Sequence, residues 1–354
     1  WVRTGPPHQA VLGGSYVLFA ENDGWYNMRL VENTLHHFPF RNSFDPYTLY
    51  PYGQSIGWAP FFDWFLALII WFAGLGHPST ELIEKMAAYF PAILGAITVI
   101  PVYFIGKELF NRNAGLICAG LIVIAPGEFL FRSILGFTDH HIAETLLSTT
   151  TILFIILAIN RARDNPPTFR QIKNREWAPL KKPLIFALLA GFALGLYLLV
   201  WAYGMLFILV IFAYSMVQAN IDHLKGKSTD YLVIILVPIY LIALIMSAAA
   251  SRFLYELPTI AIASIIGILS ICVAALLSHI MVRKNIRQSY YPFILLGLGL
   301  IGIGLLYAIA HSKFHGMIAL FSIFSSSETR ATIMEAQPLL SGFKLSAITD
   351  HRVW

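Results

Sequence analysis

The sequence predicts an all-α membrane protein that crosses the bilayer several times. Apolar residues make up 57% of the 354 residues and charged residues only 12%, about half of the roughly 25% found in soluble domains. The mean hydropathy is +0.69. The apolar residues are concentrated in runs of about 20, the length that a helix needs to cross a bilayer. These observations exclude a soluble globular domain.

Eight apolar segments are long enough to be candidate membrane spans. In chain order they cover residues 85–106, 114–131, 140–160, 183–200, 202–218, 231–250, 258–281 and 291–310. A further apolar run, residues 61–75, contains Asp63 and many aromatic residues and is short for a crossing. We expect this run to form an interfacial or re-entrant helix.

Basic residues lie in the short links between the predicted spans, which assigns each link to one side of the membrane. The link 161–182 carries seven arginines and lysines and is therefore predicted to be cytoplasmic. The basic links 107–112, 223–227 and 283–287 alternate correctly with it. By parity, the remaining links face outside, namely residues 1–60, 132–139, 201–203, 251–258 and everything after His311. This pattern explains the net charge of +5 without a nucleic acid partner.

Three regions follow from this topology. Residues 1–84 form a first external loop with interfacial helices, residues 85–310 form a bundle of about eight spans, and residues 311–354 begin a final external loop. Within the first loop, apolar residues at helical spacing predict a surface helix that starts near Gly24. Both ends of the chain look cut, so we expect a fragment of a longer protein. The two cysteines lie inside apolar runs, and no disulfide framework is indicated.

Candidate chemistry lies in the external segments that carry acids. Asp139, His140 and His141 stand between two predicted spans, where polar groups stay hydrated next to lipid. Together with Asp23 of the first loop, Asp139 and His141 supply oxygen and imidazole ligands that suit Mn²⁺ or Mg²⁺. Zinc is less favoured because no compact His/Cys spacing is present. We expect His140 to point elsewhere, because neighbours on a helix are offset by about 100°.

Each of these residues has a structural alternative. Asp23 or Asp139 could be the N-cap of the helix that follows it. His141 could be an interfacial histidine without a ligand, and Glu335 could be a solvated loop acid. Glu144 lies one turn inside a predicted span, which suggests a pair with Arg132 or with another buried base.

Three segments together resemble the catalytic subunit of oligosaccharyltransferase, the membrane enzyme of protein N-glycosylation. Residues 22–26 (NDGWY) look like its first acidic motif. Residues 133–141 (SILGFTDHH) look like its second, in the Asp-x-His form typical of archaeal members. Residues 331–338 (ATIMEAQP) look like the Thr-Ile-x-Glu motif of its final large loop. The motifs occur in the family's order on one predicted face, over nearly the whole chain.

The resemblance implies the C-type glycosyltransferase transmembrane fold, with large first and last external loops. It implies that Asp23, Asp139 and His141 bind the metal. Asp23 and Glu335 would be catalytic, accepting hydrogen bonds from the side-chain amide of the acceptor asparagine. The transfer would be metal-dependent and would invert the anomeric configuration.

The resemblance also implies the partners. The donor would be an oligosaccharide on a dolichyl phosphate or pyrophosphate, with Arg132, Trp201 and His140 near its phosphate. The acceptor would be a polypeptide with an Asn-x-Ser/Thr sequon. The enzyme would act as a single subunit in the cell membrane, with its active site on the extracytoplasmic face. The family's soluble C-terminal domain, which reads the sequon, is absent from this sequence.

Two alternatives remain at this stage. Another polyprenyl-phosphate-dependent glycosyltransferase of the same fold would also carry an acid in the first external loop. A membrane transporter would instead place ionisable groups in the middle of its spans.

Overall fold

The computed structural model describes residues 1–163, 166–201, 203–254 and 257–309. In these residues the only strands are the antiparallel pair β1 (Phe44–Asp45) and β2 (Gln54–Ser55). The α-helices in chain order are α1 (His8–Leu12), α2 (Glu21–His36), α3 (Phe61–Ala73), α4 (Thr80–Leu109), α5 (Arg112–Ile124), α6 (Glu128–Phe131), α7 (His141–Arg163), α8 (Phe169–Lys173), α9 (Ala178–Val200), α10 (Met205–Leu224), α11 (Asp230–Ala249), α12 (Leu257–Arg283) and α13 (Tyr291–Ile309). Short 3-10 helices precede α12 and α13, at Ser251–Phe253 and Gln288–Tyr290.

Seven helical segments of the described chain are long and apolar enough to cross a membrane. They are α4, α7, α9, α10, α11, α12 and the segment Gln288–Ala308 that contains most of α13. Each coincides with a predicted span, which confirms the all-α polytopic fold class. The protein is a multi-pass membrane protein.

The predicted span 114–131 is interrupted in the structure. Helix α5 has thirteen residues and is shorter than the roughly 20 residues of a full crossing. It ends at Ile124 because Pro126 disfavours a helical conformation at Ala125 and supplies no N–H of its own. Gly127 then adopts a φ of +105°, which redirects the chain into the short helix α6.

Helix α3 is the apolar run that the sequence predicts not to span, and its thirteen residues are too few for a crossing. One apolar core joins it to the first loop and to the bundle. The core contains Leu66 and Ile70 of α3, and Met28 and Val31 of α2. It also contains residues from the start of α4, the start of α7 and the end of α9, among them Ala87, Ala88, Ile142, Ala143 and Val200. The first loop is therefore packed against one end of the bundle, which we call the Asp139 end.

The basic links meet at the other end, which we call the basic end. Ala88 and Glu108 are separated by twenty residues of α4, about 30 Å at 1.5 Å per residue. Near Glu108, the last turn of α7 contributes Arg161 at 3.7 Å. At the same end, Asp230 of α11 contacts His279 of α12. The bundle therefore keeps its basic links away from the Asp139 end, as the charge pattern predicts.

Helix α13 belongs to a separate compact unit that begins at Tyr290. Its side chains are apolar along its whole length, and most of them are exposed. This surface is the one that a lipid-facing span requires.

Candidate metal and catalytic site

The loop between α6 and α7 reaches the Asp139 end because Gly136 fits a narrow gap between α4 and the first loop. Its N–H donates to Ala88 O at 2.9 Å, and its carbonyl accepts the N–H of Ala20 at 2.9 Å. Its φ is +84°, and an added Cβ would lie 3.0 Å from Val11 Cγ2 and 3.2 Å from Leu18 O. Only glycine fits this position without strain.

Three further hydrogen bonds hold the same loop. The hydroxyl of Thr138 donates to Ala87 O at 2.9 Å. Buried Arg3 donates from Nε to Ser133 Oγ at 2.8 Å, and its carbonyl accepts the N–H of Leu135 at 2.8 Å. The backbone that leads to Asp139 is therefore bonded on both sides, to α4 and to the N-terminal segment.

Asp139 is 2% exposed, and its two carboxylate oxygens have different surroundings. Oδ1 accepts hydrogen bonds from Asn27 Nδ2 at 3.1 Å, from the His140 N–H at 2.7 Å and from His140 Nδ1 at 2.6 Å. Oδ2 is buried and has no hydrogen bond in the described part of the chain, although His141 Nε2 lies 3.2 Å away. Burial alone would raise the pKa of Asp139, but the hydrogen bond and charge of His140 and the charge of His141 lower it to about 2. The carboxylate is therefore ionised at neutral pH.

His140 and His141 both lie against Asp139, and their rings stack with centroids 4.4 Å apart. The expectation that His140 points away is wrong. Because α7 begins only at His141, His140 lies outside the helix and the helical offset does not apply. Burial alone would lower the pKa of His140, but the hydrogen bond and charge of Asp139 and the charges of Glu144 and Asp23 raise it.

Glu144, one turn into α7, contacts both rings. Its Oε1 lies 2.9 Å from His141 Nδ1 and 3.2 Å from His140 Nε2. The two histidines are thus the basic partners that its unusual place in the sequence suggested. Because Glu144 contacts Nδ1 of His141, the Nε2 atom, which faces Asp139, is the nitrogen available to coordinate a metal.

Helix α2 brings Asp23 to this cluster. The helix begins three residues before the predicted start, with Ala20 as its N-cap. The alternative that Asp23 is an N-cap is therefore wrong. Asp23 lies exposed in the first turn, and its charge contributes to the raised pKa of His140. Asn27, one turn later, is 2% exposed and donates both to Asp23 O at 3.0 Å and to Asp139 Oδ1.

The donor set fits a divalent cation. Asp139, His140 and His141 each offer one ligand atom, and these atoms lie within 4.8 Å of one another. The buried Oδ2 of Asp139 is an anionic oxygen without a hydrogen bond, an environment that a cation would satisfy. Carboxylate and imidazole ligands suit first-row divalent metals.

Aromatic rings border the cluster on one side. Trp58 packs edge-on against His140 at 5.8 Å between centroids. Its carbonyl accepts a hydrogen bond from Arg41 Nη2 at 3.3 Å. Arg41 in turn forms a buried ion pair with Asp63 of α3 at 2.6 Å. Arg41 thus connects the backbone of Trp58 to helix α3.

Arg132 lies in the loop that carries Asp139. Its Nε is 2.6 Å from Glu128 Oε2, and its guanidinium lies 5.5 Å from the centroid of the Phe137 ring. Phe137 is two residues before Asp139, so Arg132 belongs to the Asp139 end. Its side chain is mostly buried.

Trp201 and Glu335 complete the predicted set. Trp201 directly follows α9, whose last residue, Val200, lies in the same apolar core as Ile142 of α7. Trp201 is therefore also at the Asp139 end. Glu335 lies outside the described residues.

Sequence reasoning missed Asn27 as part of the cluster and left Glu144 without a role. Both follow a predicted site residue at helical spacing, Asn27 four residues after Asp23 and Glu144 three residues after His141. Residues so spaced share a helix face, and this signal could have found them. The contact of Asn27 with Asp139 spans 112 residues and has no local signal.

Comparisons with known proteins give one consistent family. Residues 14–343 match the family model described as oligosaccharyl transferase STT3, N-terminal. The chain is 30% identical over 353 residues to a dolichyl-monophosphooligosaccharide–protein glycotransferase of Haloferax volcanii. That match covers 96% of this chain and 33% of the relative.

Solved structures of an archaeal oligosaccharyltransferase from Archaeoglobus fulgidus share the fold. One, in complex with an inhibitory peptide and a dolichol-phosphate, has a TM-score of 0.79 at 26% identity and covers 94% of this chain and 38% of that one. Another, in complex with zinc and sulfate, has a TM-score of 0.72 at 27% identity. It covers 91% of this chain and 41% of that one.

The chain thus spans about a third of the length of the Haloferax relative. The family model, however, matches most of the chain, including residues 22–26, 133–141 and 331–338. This chain belongs to the oligosaccharyl transferase STT3 family and carries that family's N-terminal region.

Proposed function

We propose that this chain is the membrane catalytic part of an oligosaccharyltransferase. It transfers an oligosaccharide from a dolichyl phosphate or pyrophosphate to the side-chain amide of asparagine in an Asn-x-Ser/Thr sequon. The observation that carries the proposal is that the two acidic motifs meet in the fold: Asn27, directly after the first motif, donates a hydrogen bond to Asp139 of the second, 112 residues later. The zinc, dolichol-phosphate and peptide named for the Archaeoglobus structures support it.

Asp23, Asp139 and His141 hold Mn²⁺ or Mg²⁺ in this proposal. Oδ2 of Asp139 and Nε2 of His141 face one another at 3.2 Å, and Glu144 holds the other nitrogen of the His141 ring. A cation held by these residues would supply positive charge for the departing lipid phosphate and would keep the carboxylates in place.

The carboxylates of Asp23 and Glu335 accept hydrogen bonds from the acceptor amide. Abolishing amide conjugation would cost about 18–20 kcal/mol, whereas a charge-assisted hydrogen bond contributes about 1.5–3 kcal/mol. Two carboxylates therefore cannot hold a fully twisted amide. They stabilise the positive charge that develops on nitrogen as the new bond forms, and one of them takes the proton that the nitrogen then releases. Attack opposite the leaving phosphate inverts the anomeric carbon.

The donor phosphate is bound by His140, Arg132 and Trp201 at the Asp139 end. The raised pKa of His140 favours an imidazolium, which attracts an anion. A polyisoprenyl chain stays in the bilayer, so its phosphate arrives at the level of the helix ends. We assign this end to the extracytoplasmic face of the cell membrane, because the basic links lie at the other end. The protein acts as a single catalytic subunit.

The middle of α7 supports an enzyme rather than a transporter. Its hydroxyl side chains donate to carbonyls of the same helix, as Thr149 does to Thr145 O and Thr151 does to Leu147 O. These hydroxyl groups carry no charge, whereas transporters place ionisable groups near the bilayer midplane.

The test uses the complete natural protein that contains this chain, in bilayer nanodiscs. We expect a dolichyl-phosphate- or dolichyl-pyrophosphate-linked oligosaccharide to glycosylate an Asn-x-Thr peptide, with inversion. EDTA should stop the reaction and Mn²⁺ should restore it. A matched Gln-x-Thr peptide is the control. The absence of glycopeptide with both donors, or equal modification of the control peptide, would contradict the proposal.

A further inference from the structure

We propose that Asn27 is a positioning residue that determines which oxygen of Asp139 faces the divalent cation, and thereby sets the affinity for that cation. The inference rests on the proposed metal site. Asn27 itself touches neither the cation nor a substrate and acts through Asp139.

The side chain of Asn27 is buried, and its NH₂ group makes two hydrogen bonds. One goes to Asp23 O at 3.0 Å and the other to Asp139 Oδ1 at 3.1 Å. A buried amide with both N–H groups bonded has one preferred orientation, because rotation would leave donors unpaired.

The consequence appears on the two oxygens of Asp139. Oδ1 accepts from Asn27 and twice from His140, so its lone pairs are engaged. Oδ2 is buried without a hydrogen bond and faces Nε2 of His141 at 3.2 Å. Holding Oδ1 in this way leaves Oδ2 as the ligand atom. Partners behind a ligand commonly set its orientation in metal sites.

An amide is suited to this task because it carries no charge. A lysine or arginine at position 27 would also bond to Oδ1 but would cancel the negative charge that attracts the cation. Asn27 orients Asp139 and leaves the charge of the site unchanged. Its second bond also ties the Asp23 turn of α2 to the same carboxylate.

The test compares Asn27→Ala with Thr34→Ala in the complete protein. Thr34 lies seven residues later on the same helix and is also buried, with no hydrogen bond to its Oγ1 in the described residues. The readouts are the Mn²⁺ dissociation constant of the substrate-free protein, measured by EPR, and the transfer rate. We expect Asn27→Ala to raise the dissociation constant about 10-fold or more. Thr34→Ala should leave it unchanged.

Saturating Mn²⁺ should restore transfer in Asn27→Ala but not in Asp139→Ala. If Asn27→Ala is not recovered folded, Asn27→Ser carries the same expectation. Two outcomes would overturn this inference alone. One is a wild-type Mn²⁺ dissociation constant in the Asn27 variant while Asp139→Ala no longer binds Mn²⁺. The other is an equal rise of the dissociation constant in Thr34→Ala. If Asp139→Ala binds Mn²⁺ as tightly as the wild type, both this inference and the proposed metal site would be overturned.

Discussion

Two aspartates at opposite ends of the bundle each contact histidine, and they differ in what their oxygens do. At the basic end, Asp230 Oδ1 lies 2.5 Å from His279 Nε2, and Oδ2 accepts the N–H of Phe169 at 3.2 Å. Both oxygens have partners, and the His279 side chain is 55% exposed. At the other end, Asp139 has one saturated oxygen and one buried oxygen without a hydrogen bond.

The difference separates a structural contact from a candidate ligand. Asp230 joins the link before α9 to α11 and α12, and its hydrogen bonds are complete. Asp139 keeps a buried anionic oxygen next to two imidazoles, which is stable only if a cation or another donor approaches it. An Asp–His contact therefore does not by itself indicate a metal site. The buried oxygen of Asp139 that has no hydrogen bond does.

The largest expected effect comes from replacing each of the two aspartates with alanine. Asp139→Ala should lower transfer by more than about 100-fold, because even groups behind a metal ligand contribute about 10- to 100-fold. Asp230→Ala should retain transfer and lower the melting temperature. Glycopeptide formation and thermal unfolding of both variants make the comparison. Equal losses of transfer would remove the distinction between the two ends.

Two glycines with positive φ provide the next test. Gly136→Ala should reduce transfer about 10- to 100-fold, since small misplacements of catalytic groups have effects of this size. Its added Cβ would meet Val11 and Leu18, whereas at Gly226, in the link between α10 and α11, the nearest atom is Gln288 Nε2 at 3.6 Å. Gly226→Ala should therefore change only stability. Full activity of Gly136→Ala would show that the gap between α4 and the first loop adjusts.

Two glutamates sharpen the comparison further. Glu144→Gln should raise the Mn²⁺ dissociation constant about 10-fold, because the carboxylate no longer orients His141. Glu108→Gln removes the ion pair with Arg161 at the basic end and should leave the constant unchanged. EPR titration of both proteins provides the measurement. An unchanged constant in Glu144→Gln would mean that His141 is oriented by other contacts.

The smallest effect concerns Asp45 of the first loop, whose oxygens are satisfied by Arg29, the Tyr47 N–H and Thr48. Burial alone would raise the pKa of Asp45, but these hydrogen bonds and the charge of Arg29 lower it. A lowered pKa stabilises the fold at pH values above the unfolded value of about 3.9. This stabilisation is lost as the pH falls through the lower folded value. The melting temperatures of wild type and Asp45→Asn should therefore differ at pH 7 and converge towards pH 3; a constant difference would contradict the assignment.

The spans could be predicted because lipid imposes a length and a composition on each one. Hydropathy alone located the seven candidate membrane spans of the described residues, and charge alone separated the basic links from the Asp139 end. The break after Ile124 was missed, although Pro126 and Gly127 signal it, because the apolar run continues past them. Of the site, Asp23, Asp139 and His141 were proposed from their ligand chemistry and their shared external face, and the resemblance implied the same three residues. Asn27 was not proposed: its spacing from Asp23 indicates a shared helix face, but its contact with Asp139 joins distant parts of the chain and has no local signal.

By itself, then, the sequence determined that this is a membrane helix bundle and that its basic links lie at the end opposite Asp139. These properties depend on composition and order, which do not change on folding. Only the tertiary structure decided that His140 turns towards Asp139, that Gly136 brings the loop against α4, and that one oxygen of Asp139 is left without a hydrogen bond. Such features depend on small differences in the distances between segments that meet only when the apolar core packs.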